Sequence, residues 1–124
     1  MEMENTLLRI EETVAYKYLS AEPESIQQYA AYCEKYGQNN PNRKVSSYNI
    51  LIDKLEENEY SPKDGVIIIN QYGILFDGQH RISILQKKYG KQYEVMVLKL
   101  EVDYTIKRKL LLLLKWIRMK LRHE

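Results

Sequence analysis

Cysteine is nearly absent from this chain: Cys33 is the only one in 124 residues. That excludes an internal disulfide framework and any cysteine-rich zinc site, implies no redox chemistry, and fits a reducing compartment. Glycine and proline are scarce as well, at five and three, which excludes collagen-like and low-complexity disordered chains. No apolar run approaches the roughly 18 residues of a spanning helix, and the run Leu110–Leu114 is far too short. The start MEMENTLLRIEE has no basic segment followed by an apolar stretch, so no secretory signal is expected and the cytoplasm is the expected location. Acidic residues are missing from Tyr104 to His123, where seven Lys or Arg fall, while the rest of the chain carries twelve basic residues against seventeen acidic. The net charge of +2 therefore hides a basic C-terminal segment on an acidic body.

What is present fits one folded domain: 44% of residues are hydrophobic and 29% charged, on a chain long enough to bury one core. Leu7, Leu8, Ile10, Val14, Ala15, Tyr18 and Leu19 recur at roughly helical spacing and predict a first helix. Pro23 suits the first turn of a second helix, whose Tyr29, Tyr32, Cys33 and Tyr36 share a face before Gly37 stops it. Ser46 or Ser47 can cap a third, ending near Asn58. Then the period changes. Val66–Ile69 and Ile74–Phe76 flank Tyr72-Gly73 and predict a hairpin, and a short helix around Ile82, Ile84 and Leu85 stops at Gly90. YEVMVLKLEV reads as a strand, followed by a last helix. Three helices, two strands, a helix, a strand and a helix make an α+β fold. The tyrosines Tyr16, Tyr18, Tyr29, Tyr32 and Tyr36 lie in the acidic half at helical spacing. Packing with the hydroxyl at the surface is expected of them, not a base-stacking platform, and Cys33 reads as a small buried residue.

The stretch ILFDGQHRIS carries the chemistry. With Ile74–Phe76 as a strand and Ile82 in the helical period, Asp77, Gly78 and Gln79 form the connection, and His80 and Arg81 occupy the first helical turn. That turn has unpaired backbone N–H groups and the positive dipole end, and Gly78 lets the backbone approach an anion without a Cβ in the way. Arg81 and a protonated His80 would add charge-assisted donors to phosphate oxygens. Asp77 can hold a metal ion, orient His80 or accept a hydroxyl proton. The plainer alternative is an N-capping Asp77, a turn at Gly78 and a solvated first turn.

The same stretch, ILFDGQHRISILQKKYG, resembles the signature of the ParB/sulfiredoxin superfamily, in which a strand runs into a D-G-x-H-R turn and a helix. NPNRKVSSYNILIDKLEENEYSPKDGVIII resembles that family's Asn-Pro…Arg box, helix and strand, and KQYEVMVLKL its next strand. The resemblance implies a core over 40–101 with a small mixed sheet; the N-terminal helical extension expected over 1–39 and the C-terminal basic helix expected over 102–124 lie outside it. The two flanking parts are similar to small ParB-like proteins of bacterial polysaccharide gene clusters. Gln79 stands where sulfiredoxins carry the reactive cysteine, so sulfinic-acid reduction is not expected. Of the partitioning branch's G-E-R-R only Gly78 and Arg81 are kept, and the chain has no room for that branch's DNA-binding region. The free-serine-kinase branch, with D-G-H-H-R, is closest. It implies phosphoryl transfer from ATP or ADP with Asp77 and His80 catalytic, Mg2+ at Asp77, and Gly78, Gln79, His80 and Arg81 on nucleotide phosphates, with Asn40 and Arg43 closing the site. That branch's upstream carboxylate base has no counterpart in NNPNRKVS. The alternative is a binding or accessory module that holds a nucleotide or phosphorylated small molecule without turning it over.

Stepped at helical pitch, YTIKRKLLLLLKWIRMKLRHE puts Ile106, Leu110, Leu113, Leu114, Ile117 and Leu121 on one face and Lys107, Lys115, Arg118 and Arg122 on the other, with Arg108 nearby. A basic amphipathic helix carrying Trp116 is expected. It would dock within the fold or a homodimer, on a protein partner, or on anionic lipid at the inner face of the membrane, with nucleic acid the least favoured because the rest of the chain is acidic.

Overall fold

In the computed structural model the described residues are 9–38, 40, 43–103 and 112–120. Helices α1 (Val14–Tyr18), α2 (Pro23–Tyr36) and α3 (Val45–Glu57) precede the hairpin β1 (Ile68–Asn70) and β2 (Leu75–Asp77). Helix α4 (Gln79–Tyr89) and strands β3 (Glu94–Val102) and β4 (Leu112–Lys120) follow. The strands form one mixed sheet in the order β2-β1-β3-β4, with β1 parallel to β3 and the other pairs antiparallel. The α+β class expected from the element order is what the chain adopts.

Local chemistry explains the boundaries. Pro23 opens α2, and the Gly37 N–H closes it on the Cys33 carbonyl at 2.8 Å. The first helix is shorter than its apolar spacing predicts. A 3-10 turn over Ile10–Glu12 ends at Thr13, whose extended backbone (ψ 153°) breaks the run. The Thr13 hydroxyl donates to the Ile10 carbonyl (2.7 Å) and accepts from the Tyr16 N–H (3.2 Å), so the break is capped from both sides. Residues 1–8 lie outside the described residues. In the hairpin, the buried Asn70 side chain accepts from the Tyr72 and Ile74 N–H groups, both at 2.9 Å. Next to it Gln71 grips both backbone groups of Val102, donating to the carbonyl at 2.6 Å and accepting from the N–H at 3.0 Å, which continues the β1–β3 ladder by a side chain.

The core has two compartments with α4 between them. Ile82 and Leu85 pack with Ile67, Ile69, Val95 and Val97 of the sheet region, while Ile84 packs with Ala15, Tyr29, Cys33, Tyr48 and Leu55 of the helices. All five residues from Ile82 to Gln86 are buried, so α4 is a central helix packed on opposite sides. Cys33 is buried, as expected of a small apolar residue.

The C-terminal segment overturns the helix expectation. Leu112–Lys120 is a strand, paired antiparallel over its full length with β3 from Val102↔Leu112 to Glu94↔Lys120. Leu, Lys, Arg and Met favour helix intrinsically, but β3 offers a nine-residue edge, and pairing with it overrides the local preference. The period is then two, not 3.6. Ile117 and Met119 turn towards the core, whereas Trp116 and Arg118 sit opposite Leu98 and Met96 on the other face of the sheet. Lys115 pairs with Lys99 on the core side, so Lys115 and Arg118 do not share a basic face. Lys107, Arg108 and Arg122 lie outside the described residues. Among the described residues no helix is long and apolar enough to cross a membrane.

Candidate functional site

Strand β2 ends at Asp77 and delivers Gly78 to the start of α4. Gly78 has φ 105° and ψ 17°, a left-handed conformation, and it is buried against Ile67; a Cβ there would lie 2.9 Å from Ile67 Cγ1 and 3.0 Å from its Cα. Only glycine fits both the angle and the contact. The Gly78 N–H donates to Asp77 Oδ1 at 2.9 Å, so Asp77 supports the turn from the residue before the N-cap and is not itself the N-cap. Among the described residues no side chain caps α4, which leaves its first N–H groups without a side-chain acceptor there.

His80 points away from the turn into the helical compartment. Its Nε2 lies 2.8 Å from the Tyr29 hydroxyl, and its ring stands edge-on to Tyr48 with centroids 4.7 Å apart. The Tyr48 hydroxyl donates to the Ala15 carbonyl at 2.8 Å, fixing that wall. Burial, then Arg43 and Arg81, lower the His80 pKa from 6.5 to about 4. His80 is therefore neutral near pH 7, and the protonated imidazole expected from the motif is not what this environment favours. Tyr29 is held well above the ordinary phenol value, chiefly by burial, so the pair is a neutral phenol on a neutral imidazole. Tyr29 is buried, which corrects the surface hydroxyl expected of it, whereas Tyr36 of the same helix is exposed as expected; Tyr48 of α3 is buried as well.

Arg81 leaves the same turn in another direction. Its guanidinium lies flat on Gly65, where any Cβ would overlap it, and donates to the Asp64 carbonyl at 3.4 Å. The Tyr60 hydroxyl donates to the Gly65 carbonyl at 2.6 Å and holds that loop. Arg43 comes from the connection between α2 and α3, its N–H donating to the Asn40 carbonyl at 3.0 Å, with its guanidinium over the Tyr32 ring at 5.7 Å.

Two cavities result. The first, about 420 Å³, is bordered by Arg43, Lys44, Lys54 and Arg81, with Asp64 the one carboxylate among the described residues; Asn40, His80, Tyr29 and Tyr48 also line it. The second, about 330 Å³, lies along the turn and is bordered by Asp77, Gly78 and Gln79, with Tyr32, Ile74 and Phe76 as its apolar wall. Arg43 and His80 border both. The motif is thus divided: Arg81, His80, Arg43 and Asn40 meet at the cationic cavity, while Asp77, Gly78 and Gln79 face the other. Lys44, Lys54 and Asp64 are members that the motif did not reveal; Lys54 reads in sequence only as part of a helical stripe, and its pairing with Asp64 (3.5 Å) is tertiary. No group of three or more His, Cys, Asp or Glu that could hold a metal occurs among the described residues. A divalent ion at Asp77 would have to share its coordination with ligand oxygens and water, the usual habit of Mg2+.

The lowered His80 pKa has a consequence for stability. The folded-state value lies below the unfolded one, so between about pH 6.5 and pH 4 the unfolded chain binds the extra proton. Stability from this group is complete above pH 6.5 and falls as the pH drops towards 4, by about 3 kcal/mol in all. An NMR titration of the two histidines should find His80 neutral down to about pH 5; a midpoint near 6.5 would contradict the buried setting.

Comparison of the chain with protein-family models, with curated proteins and with solved structures finds no match in any of the three.

Proposed function

We propose that this protein binds a nucleotide or another phosphorylated small molecule in its cationic cavity, and that phosphoryl transfer from ATP or ADP is the chemistry served by the Asp77–Arg81 turn. The observation that carries the reading is the charge of that cavity: among the described residues, Arg43, Lys44, Lys54 and Arg81 converge against the single carboxylate of Asp64. Four cations round a few hundred cubic ångströms fit an anion with several negative oxygens, and the volume is that of a small-molecule site. The likeness of Asp77-Gly78-Gln79-His80-Arg81 to the D-G-x-H-R turn of the ParB/sulfiredoxin superfamily supports the same reading. Phosphoryl transfer asks mainly for positioning and charge neutralisation, which two arginines, two lysines and Mg2+ on the phosphates supply. Gln79 in place of a cysteine removes the nucleophile that sulfinic-acid reduction needs. A cytoplasmic setting, where nucleotides and Mg2+ are plentiful, belongs to this proposal.

The test is thermal unfolding with ATP, ADP, CTP and inorganic phosphate, with and without Mg2+, on wild type and Arg81→Ala. A ligand that binds only the folded state raises the midpoint. A nucleotide-dependent rise that Arg81→Ala diminishes is the expected result, and no shift with any of the four sinks the proposal. A second reading, a non-catalytic module that docks on a partner, is favoured by one observation: Trp116, opposite Leu98 on the sheet face away from the core, is 50% exposed. Binding without turnover would point to it.

A further inference from the structure

The two cavities differ in chemistry, and the difference assigns them different ligands. The cationic cavity has four Lys or Arg against one carboxylate, whereas the turn cavity has one arginine, one carboxylate and a wall of Tyr32, Ile74 and Phe76. With His80 neutral, the described residues around the turn cavity carry no net charge, Arg43 offsetting Asp77. A polyphosphate would find one arginine there instead of four cations, and would meet the Asp77 carboxylate, which repels it. An uncharged molecule with one apolar side would bury that side on the aromatic wall. Its hydroxyls would face groups with bonding capacity to spare: one Asp77 oxygen takes the Gly78 N–H, while the other oxygen and the Gln79 amide hold no hydrogen bond among the described residues. Gln79 supplies donor and acceptor, and an ionised Asp77 accepts only.

We propose that the turn cavity is the acceptor site, taking a neutral hydroxyl compound with one apolar face and setting its hydroxyl beside Asp77, with Arg43 and His80 forming the boundary across which the phosphoryl group passes. This rests on the nucleotide reading of the cationic cavity. In the step, the acceptor oxygen bonds to the terminal phosphorus of ATP, the bond from that phosphorus to the bridging oxygen breaks, and ADP leaves with the electron pair. The hydroxyl proton goes to the Asp77 carboxylate and from there to water. Asp77 thus fills the place of the proton acceptor that the loop between α2 and α3 does not provide, and it lies across the Arg43–His80 boundary from Lys44, Lys54 and Arg81, outside the polyphosphate's cavity.

The experiment uses the full chain, ATP with Mg2+, and an acceptor panel of methyl β-glucoside, benzyl alcohol and glycerol, with free serine and glycerate as charged counterparts. Binding is read by saturation-transfer NMR and transfer by labelled phosphate, alongside the nucleotide-induced thermal shift. Phe76 is 48% exposed and borders the turn cavity, not the cationic one, so Phe76→Ala should leave the nucleotide shift intact and weaken binding of the neutral compounds by roughly five-fold or more. Asp77→Asn should keep their binding and lose transfer. If the nucleotide shift persists but only the charged compounds bind or accept phosphate, or none does, the acceptor assignment is overturned while the nucleotide reading stands. If no nucleotide shift occurs, both fall together.

Discussion

Arg43→Ala should weaken nucleotide binding by roughly ten- to a hundred-fold and raise the pKa of His80. Arg43 borders both cavities and, after burial, is the largest influence holding the His80 pKa down to about 4. Its removal takes away a charge-assisted donor to phosphate, worth about 1.5–3 kcal/mol, which is one to two decades of affinity. The electrostatic effect runs the other way on the imidazole. A neighbouring cation disfavours His80 protonation, so without it the value moves up from about 4 towards 6.5 and stops short, because burial, the larger cause, is untouched. Calorimetric titration with ATP and Mg2+ and an NMR titration of His80 on the same variant check both parts. The pairing of the two readouts matters, since a general loss of structure would weaken binding and carry the histidine all the way to its free value. Unchanged affinity would remove Arg43 from the site.

How much of this was legible beforehand follows the range of the interactions. Pro23 and Gly37 bound α2, Gly90 stops α4, and His80 and Arg81 fall in the first turn of α4, because capping and backbone rules act within a few residues. The hairpin was legible for the same reason, through Asn70 and Gly73. The strand β4 was not. A run of Leu, Lys, Arg and Met satisfies a helical stripe as readily as a strand's alternation, and only the presence of the β3 edge decides between them. The site shows the same division. DGQHR marks a turn and an anion-seeking helix start, yet it carries no sign that His80 turns to Tyr29, 51 residues earlier, or that Arg81 lies on Gly65. A protonated His80 was the natural reading of an exposed motif; its neutrality comes from burial among α2, α3 and α4, which no window of sequence contains. Nothing in the sequence around Gly65 marks it as the seat of a guanidinium. These omissions have one cause: each partner is brought in by tertiary packing, from an element whose own pattern describes only its core face.

Gly78→Ala should cost about 3 kcal/mol or more of stability and disturb the site with it. Two independent penalties add. The left-handed backbone at φ 105° costs a side chain about 1–2 kcal/mol, and a methyl group placed 3.0 Å or less from Ile67 Cα and Cγ1 must push apart a turn and a buried strand flank, an overpacking of about 1–3 kcal/mol. Gly73 provides the internal comparison. It too has a positive φ, 81°, but a Cβ there meets nothing within 4 Å, so Gly73→Ala should show the backbone penalty alone. Urea unfolding of the two variants should give a lower midpoint for both with the slope unchanged, and a loss at Gly78 at least twice that at Gly73. Equal losses would mean that the Ile67 contact relaxes freely. The functional part follows from position: Gly78 fixes where α4 starts, and any shift of that start moves His80 off Tyr29 and Arg81 off Gly65 together. Gly78→Ala should therefore lose nucleotide binding under conditions where it is still folded, whereas Gly73→Ala, at the far end of the hairpin, should keep it. Retention of full affinity by a folded Gly78→Ala would show that the cationic cavity does not depend on the turn that leads into it.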